Sequence, residues 1–212
     1  MNKFSSKINL GRFSSRDLDR MFFTADQHFN HSNIIRLCDR PFDDVDHMQT
    51  EMIYRWNFRI SDNDIVYVLG DFYMGRPTGA REIFARLNGN ICVIPGGHDK
   101  WIPIWEATYN KLVSRSGYVV QILPPLHSIE IADRASKYPF LITMCHYAMR
   151  VWDRSHFNRE TPCSIHLFGH SHGNLKEHSP WSLDVGVDCT EFYPVSLREV
   201  LTTIKGDNDV SL

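Results

Sequence analysis

Met21-Phe22-Phe23-Thr24-Ala25-Asp26-Gln27-His28 is a short, mainly apolar run that stops at a carboxylate and an imidazole. A run of that length with polar residues beyond it reads as a buried strand, which puts Asp26 and His28 at its carboxyl end. The pattern returns along the chain. Ile65 to Leu69 runs into Gly70-Asp71, Ile91 to Ile94 into Gly96-Gly97-His98-Asp99, Phe140 to Met144 into His146, and Ile165 to Phe168 into Gly169-His170-Ser171-His172. In open α/β sheets the loops at the carboxyl ends of strands converge on one crevice, so residues distant in sequence meet there.

Between the first strands lie helical patterns. Val45, Met48, Met52, Ile53, Trp56 and Ile60 recur at helical spacing, as do Ala80, Ile83, Phe84 and Leu87, with Asn88-Gly89 as a stop signal. Strand, helix, strand predicts parallel βαβ units. In the second half Ser128 to Ala132, Phe140 to Met144, Ile165 to Phe168 and Ser182 to Val187 read as strands with little helix between them, which predicts a second, mixed or antiparallel sheet. Two sheets packed face to face with helices outside would bury a core that 212 residues can fill. Residues 21–212 read as one domain. The polar stretch 1–20, rich in Ser, Arg and Asp, reads as an N-terminal extension loosely attached to the surface.

Composition narrows the function classes. A hydrophobic content of 42% and a charged content of 23% belong to a globular chain. The formal net charge of -2 gives no long-range pull toward polyanions and argues against a protein that coats duplex nucleic acid. Five scattered cysteines without a C-x-x-C pair read as reduced core residues. No run approaches a membrane span and no apolar h-region opens the chain, so a cytoplasmic location is expected, with no membrane partner.

Taken singly, each cluster has an ordinary explanation. Asp26-Gln27-His28 can be a turn held by an Asx bond, Gly70-Asp71 a strand-ending turn, and His146 a satisfied core histidine. Gly96-Gly97-His98-Asp99 can be a flexible loop in which Asp99 caps a helix beginning near Lys100. Only two imidazoles at i, i+2 in His170 and His172 are unusual alone. Together, several loops delivering Asp or His to strand ends point to a metal site. Two divalent cations ~3.5–4 Å apart repel, and a bridging carboxylate holds both; Asp71 is the natural bridge. Ligation by imidazole and carboxylate without thiolate suits manganese first, with iron, zinc or nickel as alternatives, better than magnesium or calcium.

The order D-x-H, G-D, G-x-H-D, a lone His after a strand and G-H-x-H resembles the calcineurin-like metallophosphoesterases from Met21 to past Asp188. Asp26 to Ile35, read as D-x-H-F-x-H-x-N-I-I, the H-Y-x-x-R-V-W segment from His146 to Trp152, and L-D-V-G-V-D from Leu183 to Asp188 are similar to the small bacterial and phage members. The resemblance implies a four-layer α/β/β/α sandwich of two mixed sheets flanked by helices. It implies Asp26, His28 and His172 on one metal, His146 and His170 on the other, and Asp71 between them. His98 matches the histidine that contacts the phosphoryl group and helps protonate the leaving oxygen. The implied reaction is hydrolysis of a phosphomonoester or phosphodiester by a metal-bridging hydroxide. Two departures stand out: Gly97 replaces the motif Asn that ligates the second metal, and Met74 stands where some relatives carry an Asp that orients the catalytic histidine.

Selectivity is expected from residues beside the ligands. His31, Asn33 and Arg36 follow the first cluster, and Arg150, Trp152, Arg154 and Arg159 follow His146. Arginine suits a phosphate clamp and tryptophan suits stacking on a base; the plainer alternative pairs these arginines with Asp43, Asp44 and Asp153. The expected substrate is small and phosphorylated, a nucleotide or cyclic nucleotide. A nuclease acting on nucleic-acid ends or single strands, and a binding or scaffold member impaired by Gly97, are the alternatives.

Overall fold

The strand-like runs assemble into two mixed sheets in a computed structural model that describes residues 10–108 and 111–205. The first half contains α1 (Ser15–Arg20), β1 (Met21–Thr24), α2 (Ser32–Leu37), α3 (Val45–Arg59), β2 (Ile65–Val68), α4 (Pro77–Phe84), β3 (Asn90–Val93) and α5 (Trp101–Thr108). The second half contains β4 (Gln121–Ile122), β5 (Leu126–Ile131), β6 (Phe140–Cys145), β7 (Ser164–Phe168), β8 (Ser182–Asp184), β9 (Val195–Ser196) and α6 (Leu197–Lys205). Strands in the first sheet run in the order β4-β3-β2-β1-β9, with β9 antiparallel. The second sheet has the order β5-β6-β7-β8, with β5 antiparallel. The fold is thus the expected α/β sandwich of two mixed sheets flanked by helices.

Alternation along the strands divides the core. Phe22, Val66, Val68, Ile91 and Val93 face α3, α4 and α5, whose Met52, Trp56, Ile83, Phe84 and Trp101 cover that side. The opposite residues, Phe23, Tyr67, Leu69, Cys92 and Ile94, face Phe140, Ile142, Met144, Ile165 and Leu167 of the second sheet. That inter-sheet layer is closed by α1 and α6 through Leu18, Leu197, Val200 and Leu201. On the far face of the second sheet, Ser164 and His166 are covered by the loop after His146, with Trp152 Nε1 donating to Ser164 Oγ at 2.8 Å.

Helix ends follow local chemistry. The Asp44 side chain accepts from the His47 amide at the start of α3, and Pro77 opens α4, three residues before the first apolar position of the pattern. The run expected as a strand from Ser182 to Val187 stops at Asp184, because the Asp184 carboxylate accepts from the Gly186 amide and Gly186 then bridges to Ala25 of the other sheet. The short strands β4 and β9, of two residues each, carry too little pattern to be seen beforehand.

Residues 10–20 correct the reading of a loosely attached extension; residues 1–9 lie outside the described part. Phe13 and Leu18 belong to the inter-sheet core, and Phe13 stands edge-on to Phe140 with ring centroids 5.2 Å apart. Arg12 and Asp133, both buried, form an ion pair across 121 positions of sequence. Among the described residues no helix is long and apolar enough to cross a membrane. All five cysteines are free thiols. Phe13→Ala should lower unfolding free energy by about 3–5 kcal/mol in a urea titration, the cost of emptying a buried aromatic site. An unchanged midpoint would show residues 10–20 to be dispensable for stability.

Candidate metal centre

The ends of β1, β2, β3, β6 and β7 meet at one end of the inter-sheet layer, stitched by backbone bonds. Asp26 N–H donates to Gly70 O at 3.0 Å, His28 N–H to Asp71 O at 2.9 Å, and Gly169 N–H to His146 O at 3.0 Å. So close an approach requires glycine. At Gly70, which has φ +88°, a Cβ would lie 2.7 Å from the Gly96 backbone and from His146 Nδ1; at Gly169 it would lie 2.5 Å from Asp26 Oδ2.

All six expected ligands gather here. Asp26, His28 and His172 form one group and Asp71, His146 and His170 a second, each offering ligand atoms within 4.8 Å of one another. Asp71 lies between the groups, with Oδ2 3.6 Å from His28 Nε2 and 3.4 Å from His146 Nε2. Ligand bonds of ~2.0–2.2 Å place neighbouring donors of a tetrahedral ion ~3.3–3.6 Å apart, so this spacing suits a shared carboxylate oxygen. Five of the six, Asp26, His28, Asp71, His170 and His172, have φ between 47° and 68°. Left-handed backbone is costly for residues with a Cβ and persists where surroundings over-determine it, as at functional sites.

The hydrogen bonds leave several candidate donor atoms free. Asp26 Oδ2 accepts from His170 N–H and Asp71 Oδ1 from His98 N–H, each at 2.8 Å. His146 Nδ1 lies 2.8 Å from Leu69 O and His172 Nδ1 2.6 Å from Asp188 Oδ2. With Nδ1–H donating in both, Nε2 keeps its lone pair for a cation. Asp26 Oδ1, His28 Nε2 and His146 Nε2 are buried without a hydrogen-bond partner. Buried polar atoms are ordinarily satisfied, and three unsatisfied atoms shared between the two His/Asp groups fit divalent cations.

Electrostatics follow burial and charge. Burial pushes the Asp26 carboxyl up to about 7, against the pull of His146 and His172. Burial likewise pushes His28 down to about 3, which keeps it a neutral donor. Burial also opposes charge on Asp71, but His146, the His98 amide and His28 outweigh it and hold the carboxyl at about 2. His172 is raised despite burial by its bond to Asp188, and Asp188 is lowered by His172 and Arg40.

Several supporting residues were missed by the sequence reading. Arg40, whose side chain is fully buried, grips Asp188 with Nε and Nη2, each at 2.8 Å, and also donates to the carbonyls of Asp26 and Gln27. Cys38, His172 and Asp188 also lie close enough to suggest a cation, but Asp188 is already committed to Arg40 and His172, so it positions the imidazole. Asp184 accepts from Ser171 Oγ, Gly173 N–H and Gly186 N–H and pins the His170–His172 loop. The L-D-V-G-V-D segment was the one signal for Asp184 and Asp188. Asp99 corrects its expected role as a helix cap. Its carboxylate accepts from the amides of Asp71, Phe72, Tyr73 and Gly96 and from Trp101 Nε1, tying two strand ends together.

The rim is partly as expected. His31 joins the cluster, its Nδ1 3.4 Å from His28 Nδ1, and the His28 and His98 rings lie 5.3 Å apart. His98 is half exposed, 4.0 Å from Asp71 Oδ2. Asn33, Arg36 and Arg150 are exposed, and their side chains make no hydrogen bond or ion pair among the described residues. Trp152 is not a stacking platform, because it is buried against the second sheet, and Arg154 pairs with Glu130 rather than with the Asp residues considered. A cleft of about 570 Å³ opens beside Gly96 and Gly97, walled by Pro95, Ile102, Pro103 and Leu123 with Lys100 and Glu106; none of the six ligands lines it.

No family model matches the chain. It is 44% identical to the uncharacterized protein MJ1445 of Methanocaldococcus jannaschii over 137 residues, 58% of this chain and 75% of the archaeal protein. The chain belongs to the MJ1445 family. A crystal structure of a protein of unknown function from Aquifex aeolicus, AQ665, superposes with a TM-score of 0.59 at 21% identity, covering 85% of this chain and 96% of that one. That likeness shows a shared fold. Within this MJ1445-like chain, Asp99→Ala should cost at least about 2 kcal/mol in chemical unfolding, since it leaves several buried amides without an acceptor. A loss below about 0.5 kcal/mol would mean that the two loops hold without it.

Proposed function

We propose that the chain is a phosphoesterase with a binuclear metal centre, hydrolysing phosphomonoester or phosphodiester bonds of a small, nucleotide-like substrate. The observation that carries this reading is the pair of ligand groups on either side of Asp71, with buried Asp26 Oδ1, His28 Nε2 and His146 Nε2 left free. The ordered resemblance to calcineurin-like metallophosphoesterases supports it. Asp26, His28 and His172 would hold one ion, His146 and His170 the other, and Asp71 both; manganese suits this donor set, with iron, zinc or nickel as alternatives. Such ions, when bound, neutralise charge on a phosphoryl group and lower the pKa of water toward ~7.

The chain's own residues do the rest. Asp71 would be the carboxylate shared by both ions, since its Oδ1 accepts from the His98 amide while Oδ2 stands 3.6 Å from His28 Nε2 and 3.4 Å from His146 Nε2. The same bond anchors His98 beside the centre, where its half-exposed ring can give a proton to a leaving oxygen. Arg40 and Asp188 fix the His172 ring. His31, whose Nδ1 lies 3.4 Å from His28 Nδ1, would supply a donor beside the centre. A second reading, an impaired binding member of the same fold, rests on Gly97, which offers no side chain to the second group.

Elemental analysis after manganese loading should return two ions per chain, and hydrolysis of bis- and mono-p-nitrophenyl phosphate should stop on chelation and return on reloading. Asp71→Ala should abolish metal-dependent turnover; full activity in that variant would refute the shared-carboxylate assignment. Turnover by the unmodified chain favours a working enzyme, whereas turnover only in Gly97→Asn favours the impaired member. Asp188→Asn should weaken manganese affinity by about 10–100-fold, as a change behind a ligating imidazole does, and also lower stability because it leaves the buried Arg40 guanidinium without its counter-charge. Unaltered affinity in a calorimetric titration would remove Asp188 from the support of the centre.

A further inference from the structure

Counting donors leaves the second ligand group one short of the first. Asp26, His28 and His172 with Asp71 make four, while His146 and His170 with Asp71 make three. The space beside the second group is taken by a phenol. Tyr147 directly follows His146, and its ring stands edge-on to both His146 and His170, with centroids 4.8 Å away and interplanar angles of 71° in each case. Its hydroxyl is the one atom outside the neighbouring residues that a Cβ on Gly97 would meet, at 3.2 Å. That hydroxyl makes no hydrogen bond among the described residues, and the side chain is 48% exposed. The backbone beneath it is fixed, because buried His166 accepts from the Met149 amide at 3.1 Å and lies 3.1 Å from Thr143 O.

The geometry points to Tyr147 as a phosphoryl-contact residue, its O–H donating to a phosphoryl oxygen at the second ligand group, with Gly97 bare so that the phenol fits. This rests on the phosphoesterase reading. A phenolic O–H is a directional donor, and a bond to a charged oxygen is stronger than one to a neutral acceptor. The placement also gives Gly97 a role: a side chain there would crowd the hydroxyl.

Tyr147→Phe keeps the ring against the two imidazoles and removes only the O–H. Manganese content, affinity for inorganic phosphate and kcat/KM for bis-p-nitrophenyl phosphate are measured on the full chain. Expected are unchanged manganese, phosphate binding weakened about tenfold and kcat/KM reduced about 10–100-fold, the range for loss of a hydrogen bond to a charged group. Gly97→Ala should produce a comparable loss in the tyrosine chain and little further loss in the phenylalanine chain. The inference is overturned if Tyr147→Phe keeps phosphate affinity and kcat/KM within about twofold, or if it loses manganese, which would make the phenol a support of the centre instead. Failure of the unmodified chain to bind manganese overturns the phosphoesterase reading as well, and the manganese titration shows this before any variant is made.

Discussion

Two carboxylates, Asp26 and Asp71, sit almost wholly out of water at one end of the inter-sheet layer, and the surrounding structure is arranged around their charge. An unpaired buried carboxylate is expensive, so it is either neutralised by a proton or matched by a cation. The two residues are treated differently. Asp71 has imidazoles on both sides and a backbone donor on the other oxygen, and it stays ionised. Asp26 has one backbone donor and one bare oxygen, and its carboxyl is pushed toward neutrality. Asp26 Oδ1 and His28 Nε2, both without a partner, belong to residues of one and the same His/Asp group. That pairing makes little sense for a core and good sense for a ligand set.

Backbone strain reinforces the point. Five residues of the cluster in the left-handed region cost roughly 1 kcal/mol or more each, a sum that is large against the ~5–15 kcal/mol of a typical domain. The offset is local. Asp99 collects five donors from two loops, Asp184 collects three, and Arg40 spans the first loop and Asp188 with both ends of its guanidinium. Each clamp joins the end of one strand to the end of another, so the loops hold their shape as a unit rather than one by one. The Ala25–Gly186 bridge does the same between the sheets.

What was legible in the sequence follows from the range of each signal. The strands β1, β2, β3, β6 and β7 were readable because a few apolar residues broken by Asp, His or Gly form a local pattern. The clustering of Asp26, His28, Asp71, His146, His170 and His172 was readable because each stands just past such a run. Helix α3 announced itself by Met48, Met52, Ile53 and Trp56 on one face. The clamps were not readable. Arg40 meets Asp188 across 148 positions, and nothing near Arg40 says that its guanidinium will be buried. Asp99 looked like a cap because a capping residue and a loop-tying carboxylate have the same local sequence; only the fold decides which amides come within reach. Trp152 was misread for the same reason, since an indole beside arginines can face a ligand or a sheet, and here Ser164 and His166 lie beneath it.

The contrast between centre and rim bears on selectivity under the proposed reading. Asp26, His28, Asp71 and His146 are buried, and Asp26, Asp71, His146 and His172 each have a side-chain hydrogen bond that fixes them, whereas His98 and Tyr147 are exposed. Rigid positioning at the centre favours one geometry at phosphorus, while exposed side chains beside it tolerate variety in what is attached to it. The cleft beside Gly97 has walls of proline and aliphatic side chains with one lysine and two acids, Asp99 and Glu106, so it can seat a flat or apolar group but carries no run of cations to track a polyanion. Together with a net charge of -2, this favours a small ester over a long nucleic acid, because affinity for the latter depends chiefly on many phosphate contacts.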